Sequence, residues 1–221
     1  MGLRDKTPYD GVLIAFCGLD GSGKSTQVKL LAESLRAVAA VSVVRPVTDS
    51  FRHDPGITDY MDGRVPPEQI DDMVVELALL SAADCFRQMR TVILPRLQAG
   101  EIVLSDRYVY SSYARGRARG LDDQEWLCQL NRYLPEPDLT IYLDVRPEVA
   151  LRRIRARGDA PRWEELDPTR ITTARSAFIE QPWGPRDNYR IVDGERPVDE
   201  IAATVRDMVA TTLRITVGAL T

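Results

Sequence analysis

Short apolar runs alternate along this chain with amphipathic stretches of helix length. Val12-Leu13-Ile14-Ala15-Phe16-Cys17 and Ile102-Val103-Leu104 are apolar at every position, without the alternation of a half-exposed strand. Strands covered on both faces read this way, as in a parallel sheet with helices above and below it. The pattern predicts strands over 12–17, 41–44, 102–105, 139–144 and 189–192, and helices near 25–39, 67–82, 84–98, 121–133, 147–157, 168–178 and 197–213. Strands and helices in this succession give an α/β fold, a five-stranded parallel sheet flanked by helices in three layers. Pro147 suits the first turn of its helix, whereas Pro95 lies inside an apolar stretch and predicts a kink or an early stop. The stretches 45–66, 107–120 and 158–167 read as irregular. Loops beyond the C-terminal ends of such strands are where ligands bind.

Composition narrows the partners. The chain has 221 residues, 44% of them hydrophobic, which is enough for one good core, and nothing divides 1–221 into more than a single domain. A net charge of −4 argues against a nucleic-acid polymer as partner. Positive charge is nevertheless clustered: four arginines and no acid lie between Arg107 and Arg119, and five arginines against one aspartate between Leu151 and Arg162. Such clusters fit small polyanions or solvated faces. Cys17, Cys85 and Cys128 have no metal-ligand spacing and leave one over in any pairing, which fits a reducing, cytoplasmic location. His53, the single histidine, reads as a loop residue. The apolar run behind Arg4 and Lys6 is six residues long, too short for a signal peptide, and no run approaches membrane-spanning length, so no membrane partner is expected.

Chemistry enters with Gly18-Leu19-Asp20-Gly21-Ser22-Gly23-Lys24-Ser25-Thr26, which directly follows the first predicted strand. This is a complete phosphate-binding loop, or P-loop. Gly18, Gly21 and Gly23 let backbone N–H groups, including that of Ser22, turn toward phosphate oxygens; Lys24 reaches the outer phosphates, and the Ser25 hydroxyl can hold magnesium. Thr26 opens a helix whose N-terminus favours the same anion. ATP and Mg²⁺ are the expected cofactors, on a P-loop NTPase fold. The strand 102–105 ends in Asp106-Arg107, a placing that suits Asp106 to magnesium and Arg107 to the phosphate under attack.

These residues carry a resemblance. The loop Gly18 to Gln27, Ser105-Asp106-Arg107-Tyr108 with Ser111-Ser112 after it, and Leu143-Asp144-Val145-Arg146-Pro147 resemble the thymidylate kinase family. So do Pro137-Asp138-Leu139-Thr140 and Arg155-Ala156-Arg157-Gly158, and the similarity runs from about Val12 to Val205. The resemblance implies an ATP-dependent nucleoside monophosphate kinase, with dTMP as acceptor and dTDP as product. It implies a lid at about 157–167 carrying Arg157 and Arg162, with Arg153 near the donor and Glu164 as an acid after them. Some members have an arginine where this chain has Gly21, so the lid is expected to supply the arginine of the transition state. Asp20 corresponds to an acid facing the acceptor's sugar and the metal, Arg45 to an arginine near the phosphates, and Arg107 to the grip on the acceptor's phosphate. Tyr108 and Arg115 fall in the segment that touches the acceptor, and a homodimer through the 73–83 helix is one reading of that apolar stretch.

Among the departures from the family, two bear on the base. Where it usually offers an aromatic ring for thymine and, one turn on, an arginine, this chain has Ser81 and Cys85. Phe86 and Arg87 stand close by but point about 100° away per residue on a helix. Kinases of a modified nucleotide, another pyrimidine nucleotide or a nucleoside therefore stay open at this point, as does a nucleotide-binding switch, although no Asn-Lys-x-Asp guanine-reading run is present.

Overall fold

The structure is a computed structural model that describes residues 9–158, 161–181 and 188–214. Arg4 and Lys6, positions 159 and 160 of the expected lid, and the tail beyond Arg214 lie outside the described residues. Strands β1 (Val12–Gly18), β2 (Val41–Val44), β3 (Ile102–Asp106), β4 (Leu139–Asp144) and β5 (Tyr189–Asp193) form one parallel sheet in the order β2-β3-β1-β4-β5. The helices are α1 (Lys24–Leu35), α2 (Asp49–Arg52), α3 (Pro55–Met61), α4 (Ile70–Gln88), α5 (Leu94–Gln98), α6 (Val109–Ala118), α7 (Gln124–Leu130), α8 (Pro147–Ala156), α9 (Pro168–Glu180) and α10 (Val198–Leu213).

The three layers follow from the period of two in β1. Its even residues Ile14 and Phe16 pack with Leu31 and Leu35 of α1 and Val205 and Val209 of α10. Its odd residues Leu13, Ala15 and Cys17 pack with Leu97 of α5, Tyr113 of α6 and Phe178 of α9. Each large apolar side chain buried in this way contributes about 1.5–3 kcal/mol. A satellite cluster of Ile57, Tyr60, Met61, Met73, Val74 and Leu77 fastens α3 onto α4.

The strands match expectation, and the connecting segments do not all. The segments 67–82 and 84–98 are not two helices: α4 continues through a π-helical turn, Met89–Ile93, into α5. Pro95 has no N–H, and a proline ring clashes with the carbonyl four residues back in a regular α-helix; a wider turn before it relieves both, and the run continues to Gln98. Residues 107–120, read as irregular, hold α6. Its arginines hide a buried face of Val109, Tyr110, Tyr113 and Ala114, and Gly116 lets α7 approach, since a Cβ there would lie 2.7 Å from Leu127 Cδ1. The 45–66 stretch contains α2 and α3, started by side-chain caps from Thr48 and Asp54. The helix expected over 121–133 contracts to α7, and 158–167 contains a short 3₁₀ turn, Trp163–Leu166.

Candidate active site

β1 runs into the phosphate loop at the centre of the sheet, where β3 and β4 flank it. Gly18, Gly21 and Gly23 all have positive φ (144°, 78° and 94°). At Gly21 space forbids a side chain as well, because a Cβ would lie 2.7 Å from the Ala150 carbonyl oxygen of α8. The arginine that some family members carry there has no room in this chain. Gly23 caps α1, leaving the first N–H groups of that helix at the loop. Ser22 is buried in the loop and Thr26 is exposed in the first turn of α1. Lys24 is buried and donates to the Leu19 carbonyl at 2.6 Å and to Ser22 Oγ at 3.3 Å. Burial, and then the charge of Arg107, push its pKa down to about 7. Ser25 Oγ donates to Asp106 Oδ2 at 2.7 Å, and Arg45 Nη2 reaches the same oxygen at 3.0 Å. Asp106 Oδ1 is buried with no hydrogen-bond partner among the described residues. Burial works to raise the Asp106 pKa; the Ser25 bond and the charges of Lys24, Arg107 and Arg45 outweigh it and hold it low. A hydroxyl next to an ionised carboxylate with an uncommitted oxygen is a donor set suited to Mg²⁺.

Arg107 follows β3 with φ 86°, a conformation that L side chains rarely adopt. Its N–H donates to the Phe16 carbonyl at 2.9 Å, and its guanidinium bonds Asp20 and approaches the Gly18 carbonyl at 3.4 Å. Arg115, one face of α6, bonds the other Asp20 oxygen at 3.0 Å. Burial would raise the Asp20 pKa, but Arg107, Arg115 and Lys24 hold it well below the usual carboxylate range. Repulsion from Arg107, together with burial, brings Arg115 down to about 10. Arg153 of α8 donates to the carbonyls of Gly21 (3.4 Å) and Gly194 (2.9 Å), bracing the loop from behind. Arg162 lines the cavity beside Asp20, whereas Arg157 bonds Glu165 at 3.2 Å and does not line that cavity. Of the two arginines expected from the lid, only Arg162 is brought to the site.

Sequence reasoning placed Glu164 after the lid arginines but passed over the partners that hold it at the cavity's other wall. Arg119 makes a bidentate pair with Glu164 (2.8 Å to each oxygen), and Arg170 Nη1 and the Tyr60 hydroxyl reach Glu164 Oε1 at 3.1 and 2.6 Å. Trp163 donates to the Tyr60 carbonyl at 2.6 Å, and the Arg170 guanidinium lies 4.5 Å from its ring centroid. The 3₁₀ turn is thereby tied to α3, α6 and α9. The signal was available as the spacing of Arg115 and Arg119, which share a face only if 107–120 is helical. Burial alone would raise the Glu164 pKa, yet the Arg119 bond and charge bring it down to about 2 from 4.5. A depressed carboxylate stabilises the fold above its unfolded pKa and loses that contribution as pH falls from about 4.5 toward 2. Glu164→Gln leaves Arg119 and Arg170 without their counter-charge and is expected to cost about 3 kcal/mol at pH 7. In denaturant melts the gap between wild type and variant should shrink at pH 3; a constant gap would refute this account.

The phosphate loop and the Asp106-Arg107 strand end are motifs on which the resemblance rests. A family profile described as Thymidylate kinase matches residues 16–205. The chain belongs to the thymidylate kinase family. Among its relatives, "Thymidylate kinase" of Ruegeria pomeroyi is 34% identical, over 93% of this chain and 98% of that protein. "Probable thymidylate kinase" of Pyrobaculum aerophilum is 36% identical, over 91% and 97% respectively. The family implies ATP as phosphate donor.

The two positions read as departures from the family, Ser81 and Cys85, fall together in the fold. Ser81 and Cys85 line a second cavity with Phe51, Val74, Leu77, Leu121 and Tyr108, and it also contains Arg107 and Arg115. Cys85 Sγ faces the Pro46 carbonyl at 3.7 Å, and burial pushes its thiol up to about 12. Tyr108 presents its ring, since its hydroxyl is committed to the Pro135 carbonyl at 2.8 Å. Phe86 and Arg87 are exposed and do not line this cavity, so they do not replace the missing pair. Among the described residues, no helix is long and apolar enough to cross a membrane.

Proposed function

We propose that this protein transfers the γ-phosphoryl group of ATP to dTMP, giving ADP and dTDP. The observation that carries the reading is Asp20, a loop carboxylate held at once by Arg107 from the end of β3 and Arg115 from α6. It joins the phosphate loop to a cavity whose rim is cationic. On this reading Gly18, Gly21, Ser22, Gly23 and Thr26 cradle the donor phosphates through backbone N–H groups and the N-terminus of α1, and Arg153 keeps that cradle in shape. Lys24, now folded onto Leu19 and Ser22, exchanges those bonds for the outer phosphates of ATP. Ser25 and Asp106 hold Mg²⁺, with Arg45 steadying Asp106. Mg²⁺, when bound, neutralises charge on the donor phosphates. Arg107 and Arg115 hold the acceptor's phosphate, and Asp20 keeps both guanidiniums aimed before it arrives. Ser81, Cys85 and Tyr108 border its base.

The acceptor's phosphate is already ionised, so no strong base is required, and catalysis rests on positioning and neutralisation. Arg162 adds positive charge from the lid side, while Arg157, paired with Glu165, takes part only by changing partners as the lid moves. Segment 161–167, tied down through Glu164, covers the site and limits attack by water. The test is ADP formation from Mg-ATP with a panel of nucleosides and monophosphates. Stimulation by dTMP above all others is expected, and no stimulation by any acceptor would refute the reading.

The protein also pairs as a homodimer through α4. Met73, Val74 and Leu77 belong to the core, but Val75, Leu79 and Phe86 are large, apolar and 38–47% exposed along one side of the helix. Light scattering should give twice the chain mass of 24.8 kDa. Leu79→Glu should reduce it to the single mass; a monomeric wild type would overturn the pairing.

A further inference from the structure

One turn of α4 holds the segment that follows β2. Gln88 Nε2 donates to the Arg45 carbonyl at 2.8 Å, and Cys85 Sγ faces the Pro46 carbonyl. Asp84 supplies the firmest hold, since its Oδ2 accepts the Thr48 N–H at 2.8 Å and its Oδ1 the Thr48 hydroxyl at 2.6 Å. Thr48 in turn caps α2, accepting from the Phe51 N–H at 3.4 Å. The backbone from Arg45 to the start of α2 is therefore set by α4. Asp84 and Asp106 are the two buried carboxylates among the described residues, and only Asp106 has a cation bonded to it there. A buried carboxylate without a counter-charge is costly, so packing alone gives no reason for Asp84.

The held segment reaches the phosphate site at one point, where Arg45 Nη2 meets Asp106 Oδ2 at 3.0 Å. That arginine side chain is 46% exposed, so its own surroundings do little to fix it, and its aim depends on where its backbone is held. With Ser25 and Arg45 both on Oδ2, Asp106 keeps Oδ1 uncommitted. We propose that Asp84 is a positioning residue for the metal site: by fixing Thr48, while Gln88 fixes Arg45, it holds the Arg45 guanidinium on Asp106 and keeps that carboxylate in place for Mg²⁺. Both Asp84 oxygens are committed to Thr48, so it acts through Arg45. The inference rests on Ser25 and Asp106 holding the metal, and it requires no particular acceptor.

The test follows binding of a fluorescent ADP analogue as Mg²⁺ is titrated, with Tm measured beside it. Binding to wild type should tighten with Mg²⁺. Partners that orient a metal ligand are worth about 10- to 100-fold in metal affinity, so Arg45→Gln and Asp84→Ala should each raise the half-maximal Mg²⁺ concentration by about tenfold or more. Because Asp84 acts through Arg45, the double variant should be no weaker than Arg45→Gln alone. Asp84→Asn can accept from the Thr48 N–H and donate to its hydroxyl oxygen, and should recover most of the loss. A merely structural carboxylate would lower Tm and leave the Mg²⁺ dependence where it was, which would overturn the inference, as would losses that add in the double variant. Should Asp84→Ala not fold, Thr48→Val decides: it removes the hydroxyl bond and should raise the Mg²⁺ requirement by about threefold, but not in the Arg45→Gln background. No rise would overturn the inference. Wild-type binding indifferent to Mg²⁺ refutes the metal assignment and the inference with it, whereas tightening that survives in folded Asp84→Ala refutes the role of Asp84 alone.

Discussion

Arg107→Ala is expected to lower kcat/KM for dTMP by about 1,000-fold or more, the size of effect that a phosphate-directed arginine has in such reactions. The loss should fall mainly on the acceptor, with KM for ATP changed little, because the guanidinium is bonded to Asp20 and lines the cavity beside it, while Ser25 and Asp106 are bonded to each other. Stability should move differently. At φ 86° the arginine occupies a conformation that costs any residue with a Cβ about 1–2 kcal/mol. Arg107→Gly should therefore be as inactive as Arg107→Ala and more stable than it by about 1 kcal/mol, roughly 2–4 °C in Tm for a chain of this size. Normal use of dTMP by either variant would remove Arg107 from the acceptor's phosphate. A glycine variant less stable than the alanine variant would contradict the strain.

Lys24→Met is expected to cut turnover by about 100- to 1,000-fold, the cost of removing one fixed charge from a water-poor transition-state site. Here the effect should appear on the donor side, in ATP binding and turnover together. The fold should not suffer. Burial holds the Lys24 pKa near 7, below its ordinary 10.5, which means that keeping the ammonium charged opposes folding at neutral pH. A methionine of similar length removes that opposition, so Tm should hold or rise as activity disappears. Retained turnover would refute the role of Lys24, and a large fall in Tm would refute the statement that its charge is held against the interest of the fold.

The sheet was legible because its strands are buried on both faces. Runs such as Val12 to Cys17 and Leu139 to Leu143 admit few other readings, and every strand appears where the apolar pattern puts it. The phosphate loop was legible because its glycines and lysine are fixed by the anion they surround. The helices around the acceptor were harder to see. In α6 the buried face mixes one valine with tyrosines, a serine, an alanine and a glycine, and arginines crowd its C-terminal end, so the 3.6-residue period is faint. Seeing that helix would have placed Arg115 and Arg119 one turn apart on the cavity side and brought the Glu164 clamp with them. Pro95 announced a disturbance of its helix, and the disturbance takes the form of a π turn just before it. The base-facing side was legible only as a departure: Ser81 and Cys85 announce what is missing there.

The central claim is that one site passes a phosphoryl group from ATP to dTMP. The most direct measurement follows radioactive label from the γ-position of ATP during turnover with Mg²⁺ and dTMP. Label appearing in dTDP, in step with ADP, is the predicted result. Label released only as inorganic phosphate, or retained in ATP, would contradict it.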